Sequence, residues 1–294
     1  MDIMKPKVSV IMIAYNQADT IGEAIRSVVL QKVPFSFELI VADDASTDST
    51  LGVARQWQER YPDIIRIIAR PANVGLQANF LGAWAEAKGE YIAICEGDDH
   101  WCSPHKLRRQ AAWLDANPDC SLVFHRVWNH YADTRTLSLS LSNPRQPRII
   151  TLEDLARANV ITNLSVMYRA IPSAELPAWI SEIKLFDYAF HSLHLARGNG
   201  RFLPQPMAVY RRYSRGIWSG DPLRALRLAL DVRERLIVHF SATRPEASAR
   251  YAEAAEAIRG RLRCPEAAAS PVRPSILSRI RAFISKFLPV PRIL

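Results

Sequence analysis

Acidic residues follow two apolar segments of this 294-residue chain. Asp43 and Asp44 end the segment FELIVADD, and Glu96-Gly97-Asp98-Asp99 follows YIAIC. Clustered carboxylates repel one another, and a bound divalent cation removes that repulsion. Oxygen ligands suit Mg²⁺ or Mn²⁺, which commonly share their coordination shell with substrate phosphates. Glu96-Gly97-Asp98-Asp99 therefore predicts a metal and phosphate site, with a solvated turn as the structural alternative. Asp43 and Asp44 are predicted to accept hydrogen bonds from a base or a ribose, with a helix-capping turn as the alternative.

A third polar group is Asn73-Val74-Gly75, followed by Asn79. The chain has neither GxGxxG nor GxxxxGK[ST], so neither a dinucleotide-binding fingerprint nor a P-loop is indicated. From spacing alone, these residues fit a turn before a helix as well as they fit a ligand site.

The elements that must position these residues alternate regularly. Apolar strand patterns cover residues 7–14, 37–44, 65–69, 91–95 and 121–128, and helical patterns cover 20–31, 48–60, 76–88 and 104–116. This alternation predicts an α/β fold with a doubly wound, mostly parallel sheet flanked by helices. Such sheets bind ligands beyond the carboxyl ends of their strands, where both acidic pairs fall.

The second half of the chain is less regular. We expect a surface loop over 132–150, a helix over 151–159, a strand over 164–169, a helix over 186–197 and a strand over 206–211. Residues 222–262 have a helical pattern interrupted near Pro245, and a proline-rich linker covers 264–274. The predicted division is a catalytic domain over 1–217, a helical extension over 218–263 and a C-terminal segment over 264–294.

Composition indicates a folded protein with an ordinary core, because hydrophobic residues make up 49% of the chain. No apolar run reaches the ~18 residues of a membrane-spanning helix, and the N-terminus does not resemble a secretion signal. The four cysteines show no CxxC spacing, which predicts reduced thiols in a cytoplasmic protein. His100, Cys102 and His105 match no closed zinc site, and His191 and His194 are predicted to be packing residues.

The net charge of +9 is unevenly distributed, since residues 1–210 carry −1 and residues 211–294 carry +10. A nucleic-acid enzyme spreads basic charge around its cleft, so nucleic acid is not an expected partner. Apolar residues over 275–288 follow one helical face, with Arg279, Arg281 and Lys286 on or near the other. This pattern predicts association with an anionic membrane surface, with docking on the protein itself or on a partner as the alternative.

Taken together, the motifs resemble the family 2 glycosyltransferases, inverting enzymes of the GT-A fold. The resemblance covers about residues 6–217 and rests on VSVIMIAYN, VADDASTDST, NVGLQANFLGAWAEAKGEYIA and EGDDHW in this order. Each motif is degenerate, but their order and spacing are specific.

The resemblance implies a nucleotide-sugar site and assigns residues to it. Residues expected to contact the nucleotide are Ala14, Tyr15, Asn16, Asp43, Asp44, Asn73, Gly75, Asn79 and Glu96. The family's DxD-like motif falls on Glu96-Gly97-Asp98, so Asp98 and Asp99 are the expected ligands of Mn²⁺ or Mg²⁺. The first position is Glu rather than Asp, which leaves the role of Glu96 open between ribose and metal.

The resemblance also implies a general base and contacts to the diphosphate. Asp187 stands where the family's base is expected, without the usual preceding acid or glycine. The segment VYRRYSRGIWSG resembles one that often reads YRxHxGS, with Tyr213 in the place of His. The expected diphosphate contacts are Arg211, Arg212, Tyr213 and Arg215.

The expected function is inverting transfer of a sugar from a nucleoside-diphosphate sugar, with UDP as the expected nucleotide, to an acceptor hydroxyl. The acceptor is expected to be a saccharide or lipid-linked saccharide in surface polysaccharide or glycolipid synthesis. The expected location is cytoplasmic, with possible peripheral contact to the inner face of the membrane. A nucleotidyltransferase and a non-catalytic nucleotide-binding subunit are the alternatives.

Overall fold

The computed structural model describes residues 5–141, 147–213 and 221–263. In these residues, ten strands form one sheet: β1 Val8–Ala14, β2 Phe37–Asp43, β3 Ile65–Ala69, β4 Tyr91–Ile94, β5 His100–Trp101, β6 Cys120–Tyr131, β7 Thr136–Leu139, β8 Ile149–Ile150, β9 Met167–Arg169 and β10 Asn199–Arg212. The helices are α1 Ala18–Val29, α2 Thr50–Arg60, α3 Leu76–Glu86, α4 Lys106–Ala116, α5 Leu152–Arg157, α6 Phe186–Leu195, α7 Pro222–Phe240 and α8 Pro245–Arg263.

The strand order is β3-β2-β1-β4-β9-β6-β10-β5. Strands β1 to β4 pair in parallel, and β6 pairs in parallel with β10. The short β9 runs antiparallel to both of its neighbours, β4 and β6. The long strands therefore all point the same way, and their carboxyl ends meet at one edge of the sheet.

Strand β1 shows why the sheet lies in the middle of the molecule. All seven of its residues are buried, as expected for a parallel strand covered on both faces. Ile11 and Ile13 face a cluster that includes helices α3 and α6, whereas Val10 and Met12 face helices α1 and α4. The predicted mixed α/β architecture is confirmed.

Three of the expected elements differ from the structure. The predicted loop over 132–150 includes β7, which forms a hairpin with β6, and β8, which pairs with β10. The predicted strand over 206–211 is the end of the much longer β10. The pairing of β10 with β6 shifts register around Pro206, so the sequence pattern did not indicate the full length of the strand. The predicted strand over 164–169 begins as a 3₁₀ turn over Asn163–Ser165 and is extended only over Met167–Arg169.

The helical pattern over 222–262 forms two helices, α7 and α8, and the predicted interruption near Pro245 is confirmed. Asp221 caps α7 by accepting a hydrogen bond from the Arg224 N–H at 3.0 Å. Both helices pack on the main core, and the Tyr251 hydroxyl donates to Ser192 Oγ of α6 at 2.8 Å. In the part of the chain that the structure describes, no helix has the length and apolarity needed to cross a membrane.

Candidate active site

The turn after β4 carries the acidic motif and lies against the loop between β1 and α1. The Gly97 N–H donates to the Ile13 carbonyl at 3.2 Å, and the Thr20 hydroxyl donates to the Gly97 carbonyl at 2.9 Å. A Cβ atom on Gly97 would lie 2.4 Å from Gln17 Oε1, so a larger residue here would displace the end of the Gln17 side chain. The contact between the two loops fixes Asp98 and Asp99 at the edge of the sheet.

Arg211, at the end of β10, organises both aspartates. Its N–H donates to Asp99 Oδ1 at 2.7 Å, and its guanidinium donates to the Asp98 carbonyl at 2.6 Å and pairs with Glu23. Burial raises the pKa of Asp98, and burial and the negative charges of Asp98 and Glu96 raise the pKa of Asp99 well above its usual range. The predicted diphosphate contact Arg211 therefore binds the acidic turn itself.

Glu96 is only partly satisfied by its surroundings. Its Oε1 accepts a hydrogen bond from Asn163 Nδ2 at 2.5 Å, while its Oε2 is buried and has no hydrogen-bond partner within the described residues. Burial, together with the nearby charges of Asp98 and Asp187, raises the pKa of Glu96 to about 7. A nearby cation, or a hydrogen-bond donor on a ligand, would stabilise the ionised form of the Glu96 carboxyl group.

The acidic turn fits a hard divalent cation whose coordination shell is completed by a ligand. Among the residues that the structure describes, no three His, Cys, Asp or Glu side chains form a metal cluster by themselves. Burial disfavours the ionised forms of Asp98 and Asp99, which raises their pKa values, and a bound cation would offset that cost. One or two carboxylates plus substrate phosphates is the usual way in which proteins bind Mg²⁺.

At the end of β2, two aspartates hold turns together. Asp43 accepts hydrogen bonds from the Ser46 hydroxyl at 2.5 Å and its N–H at 3.1 Å. Asp44 accepts from the N–H groups of Val74 and Gly75 at 2.8 and 2.9 Å. Gly75 has φ +88°, a backbone conformation that favours glycine. Asp44 thus joins the turn before α3 to the edge of the sheet, where the resemblance places the nucleotide base.

The loop after β1 is held in a similar way. Asn16 has φ +52°, and its Oδ1 accepts from the Thr47 N–H at 2.8 Å. Asn79 donates to the Ala42 carbonyl at 2.7 Å and accepts from Arg70 at 3.1 Å, so both of its polar atoms are engaged. Tyr15 is 46% exposed.

A cavity of about 340 Å³ follows this loop and reaches the acidic turn. Of the residues predicted to contact the nucleotide or the metal, its lining includes Ala14, Tyr15, Asn79, Glu96, Asp98 and Asp99. The structure therefore brings four of the nine predicted nucleotide contacts and both predicted metal ligands to one surface. The other predicted nucleotide contacts do not line this cavity, and they are Asn16, Asp43, Asp44, Asn73 and Gly75.

Asp187 lies in the first turn of α6 and faces a neighbouring cavity of about 450 Å³. The buried ring of Phe186 packs on Phe80 with centroids 4.5 Å apart, which anchors the start of the helix. Asp187 Oδ1 accepts from the Tyr188 N–H at 2.8 Å, and burial raises the pKa of Asp187. Polar side chains lining the same cavity are Glu96, Asp99, Asn129, Ser140, Asn159, Thr162, Asn163, Lys184, Asp187, Tyr210 and Arg212.

Arg212 and Lys184 are the positively charged residues that line this cavity together with the acids. The Arg212 guanidinium carbon lies 5.7 and 5.6 Å from the ring centroids of Tyr131 and Tyr210, which hold it by cation–π contacts. Tyr213 follows at 42% exposure, and the predicted contact Arg215 lies outside the described residues.

Two residues at the site were missed in the sequence. Asn163 carries no local motif, because its contact with Glu96 arises only when β9 inserts beside β4.

Lys106 is fully buried on α4, where it donates to Gln110 Oε1 at 2.8 Å and lies 4.1 Å from the ring centroid of Trp101. Burial lowers the pKa of Lys106 to about 7. The adjacent apolar Leu107 was the available signal that this lysine lies on the inner face.

The fold is that of the GT-A glycosyltransferases. The family model for glycosyl transferase family 2 matches residues 9–214, which is more than half of the chain, and the chain belongs to that family. The predicted resemblance to the family 2 glycosyltransferases is confirmed.

Individual relatives agree with this assignment. An uncharacterised protein of Mycobacterium tuberculosis is 39% identical over 211 residues, which are 71% of this chain and 60% of that protein. This chain thus spans less than two thirds of that relative. A putative teichuronic acid biosynthesis glycosyltransferase of Bacillus subtilis is 30% identical over 163 residues, 55% of this chain and 62% of the relative.

A solved structure shares the fold over nearly the whole chain. It is a mannosyltransferase from Pyrobaculum calidifontis in complex with GDP-Man and Mn²⁺, with a TM-score of 0.66 at 20% identity. The similarity covers 97% of this chain and 82% of the mannosyltransferase. At this identity, the likeness establishes the fold alone.

Proposed function

We propose that this protein is a metal-dependent, inverting glycosyltransferase that uses a nucleoside-diphosphate sugar. The observation that carries the proposal is the shared lining of one cavity by Glu96, Asp99, Asp187 and Arg212. Metal-binding acids, a candidate base and a candidate phosphate-binding cation thereby surround a single space. A second cavity, leading along Tyr15 and Asn79, has room for the nucleotide.

The donor binds with its base near the turns that Asp44 joins and its diphosphate beside Asp98 and Asp99. UDP is the nucleotide that the sequence motifs favour, and the GDP-Man complex of the mannosyltransferase makes GDP the comparison to test. A bound Mn²⁺ or Mg²⁺ supplies positive charge against the leaving diphosphate. Arg212 supplies further positive charge from the lining of the cavity that it shares with the acids.

Asp187 acts as the general base. Burial raises its pKa, which makes it a better proton acceptor than an exposed aspartate near neutral pH. It takes the proton from the acceptor hydroxyl while the oxygen attacks the anomeric carbon from the face opposite the diphosphate. The bond to the diphosphate breaks in the same step, so the anomeric configuration inverts and no covalent enzyme intermediate forms.

We further propose that the acceptor is a saccharide or lipid-linked saccharide of a cell-surface polymer. The teichuronic acid name of the Bacillus subtilis relative supports this class of pathway. Synthesis at the inner face of the membrane accounts for a basic, amphipathic segment at 275–288, which lies outside the described residues.

The first experiment measures thermal stabilisation by UDP, GDP and their sugars, with Mn²⁺ or with a chelator. A ligand at 100 times its dissociation constant adds about 2.7 kcal/mol to stability. We expect one nucleotide to stabilise the wild type only with metal, and Asp98→Ala to abolish that response. Asp63→Ala, an exposed substitution distant from the motif in sequence, is the matched control and should respond as the wild type does. A folded wild type that responds to no nucleotide contradicts the proposal and favours a non-catalytic subunit that binds partners rather than nucleotide.

A further inference from the structure

A separate cavity of about 410 Å³ lies between α6, α7 and α8. Its walls are largely apolar, with Leu185, Leu226, Ala229 and Ile258 among them. Leu185 and Asn159 line both this cavity and the one that contains Asp187. We name it the helical groove, and it lies directly beside the candidate active site.

Two arginines, Arg233 and Arg261, border the helical groove. Arg233 lies with its guanidinium carbon 4.6 Å from the ring centroid of Tyr188 and donates to the Ala229 carbonyl at 2.8 Å. Its Nε is buried and has no acceptor in the described structure. An unsatisfied buried donor of this kind favours an anionic ligand.

Two neighbouring arginines on the same helices have carboxylate partners, unlike the two arginines at the groove. Arg235 of α7 pairs with Glu182 at 2.7 Å, and Arg259 of α8 pairs with Glu234 at 2.8 Å. In contrast, neither groove arginine has a carboxylate partner among residues 5–141, 147–213 and 221–263. Arg235 and Arg259 are thus neutralised by carboxylates, whereas the positive charge of the two groove arginines is not compensated within the described residues.

We propose that the helical groove binds a lipid phosphate, the apolar and anionic part of the sugar acceptor. The proposal rests on the proposed function, because it makes the groove the acceptor's anchoring site. The phosphate contacts Arg233 and Arg261, and the hydrocarbon chain lies on Leu226, Ala229 and Ile258. A sugar joined to that phosphate extends past Leu185 toward Asp187.

Charge distinguishes this occupant from the chain's own C-terminal segment. Residues 275–288 have an apolar face, but they also carry Arg279, Arg281 and Lys286. Docking them in the groove would place like charges beside Arg233 and Arg261, which is unfavourable. An anionic amphiphile satisfies both the apolar walls and the two arginines.

The test is equilibrium binding of farnesyl phosphate to the full chain, with farnesol and inorganic phosphate as partial ligands. We expect farnesyl phosphate to bind more tightly than either. Arg261→Gln should weaken its binding about three- to fivefold, because an exposed ion pair contributes up to about 1 kcal/mol. Ala229→Leu, which fills the groove, should also weaken binding. Arg227→Gln, on the exposed side of α7, is the matched control and should bind as the wild type does.

The proposal is overturned if Arg261→Gln and Ala229→Leu both bind farnesyl phosphate as the wild type does, or if farnesol binds equally well. Displacement of farnesyl phosphate by a peptide of residues 275–288 would instead assign the groove to the chain's own segment. Nucleotide binding, measured on the same samples, separates the two proposals. A protein that binds nucleotide but not farnesyl phosphate refutes the groove alone, whereas the reverse result refutes the proposed function.

Discussion

His191 provides a quantitative test of the packing around α6. The residue is fully buried, and its Nδ1 lies 2.6 Å from the hydroxyl of Tyr168. Burial, with a smaller contribution from His194, lowers the pKa of His191 to about 3. An unfolded histidine has a pKa near 6.5, so the folded protein favours the neutral ring.

The direction of the pH effect follows from these two pKa values. Above about pH 6.5, both states are neutral and the full stability is present. Below it, the unfolded chain binds a proton that the folded protein cannot, so stability falls as the pH decreases from 6.5 toward 3. At about pH 5 the difference is about 1.5 pH units, or about 2 kcal/mol for this histidine.

The assay is urea denaturation of the wild type and His191→Gln at about pH 7.5 and about pH 5. The wild type should lose about 2 kcal/mol more stability between these pH values than the variant does. Any cost of the substitution itself cancels in this comparison, as do the carboxylates common to both proteins. His239→Gln, at an exposed position, is the control and should differ much less from the wild type. Equal losses in the wild type and His191→Gln would refute the reasoning.

Two further predictions concern loops at opposite ends of the strands, since Asp44 follows β2 and Gly89 precedes β4. Asp44→Ala removes the acceptor of two backbone N–H groups. We expect this variant to lose about 1–3 kcal/mol of stability in denaturation and to bind nucleotide more weakly. Normal nucleotide affinity would show that nucleotide binding does not depend on this carboxylate. Gly89→Ala would place a Cβ atom 2.4 Å from the Ser9 backbone nitrogen, so it should cost about 1–3 kcal/mol in the same measurement. Gly22→Ala, where the nearest atom is 3.6 Å away, is its control, and similar losses in both variants would contradict the steric argument.

The sequence predicted the elements whose signal is local. Strands β1 and β2 are continuous apolar runs, and the alternation with α1 to α3 sets their parallel arrangement. The acidic residues at the ends of β2 and β4 then fall on one edge by topology alone. The location of the site therefore followed from short-range patterns.

The features that the sequence did not predict depend on contacts between segments that are distant in the chain. Strand β9 has only three residues, so nothing in its pattern indicates that it inserts antiparallel between β4 and β6. That insertion carries Asn163 to Glu96, 67 residues away in the chain. Arg211 shows the same limitation. A positively charged residue here suggests contact with a ligand, but its position places the guanidinium against Glu23 and the Asp98 carbonyl.

The most direct test of the central claim compares the wild type with Asp187→Asn in donor binding and in sugar transfer. Asparagine preserves the shape of the side chain and removes its capacity to accept the proton. We predict unchanged affinity for the nucleotide sugar, a transfer rate lower by about 10²–10⁴-fold, and a wild-type product of inverted anomeric configuration. Wild-type transfer by Asp187→Asn, or a product that retains the donor's configuration, would contradict the account.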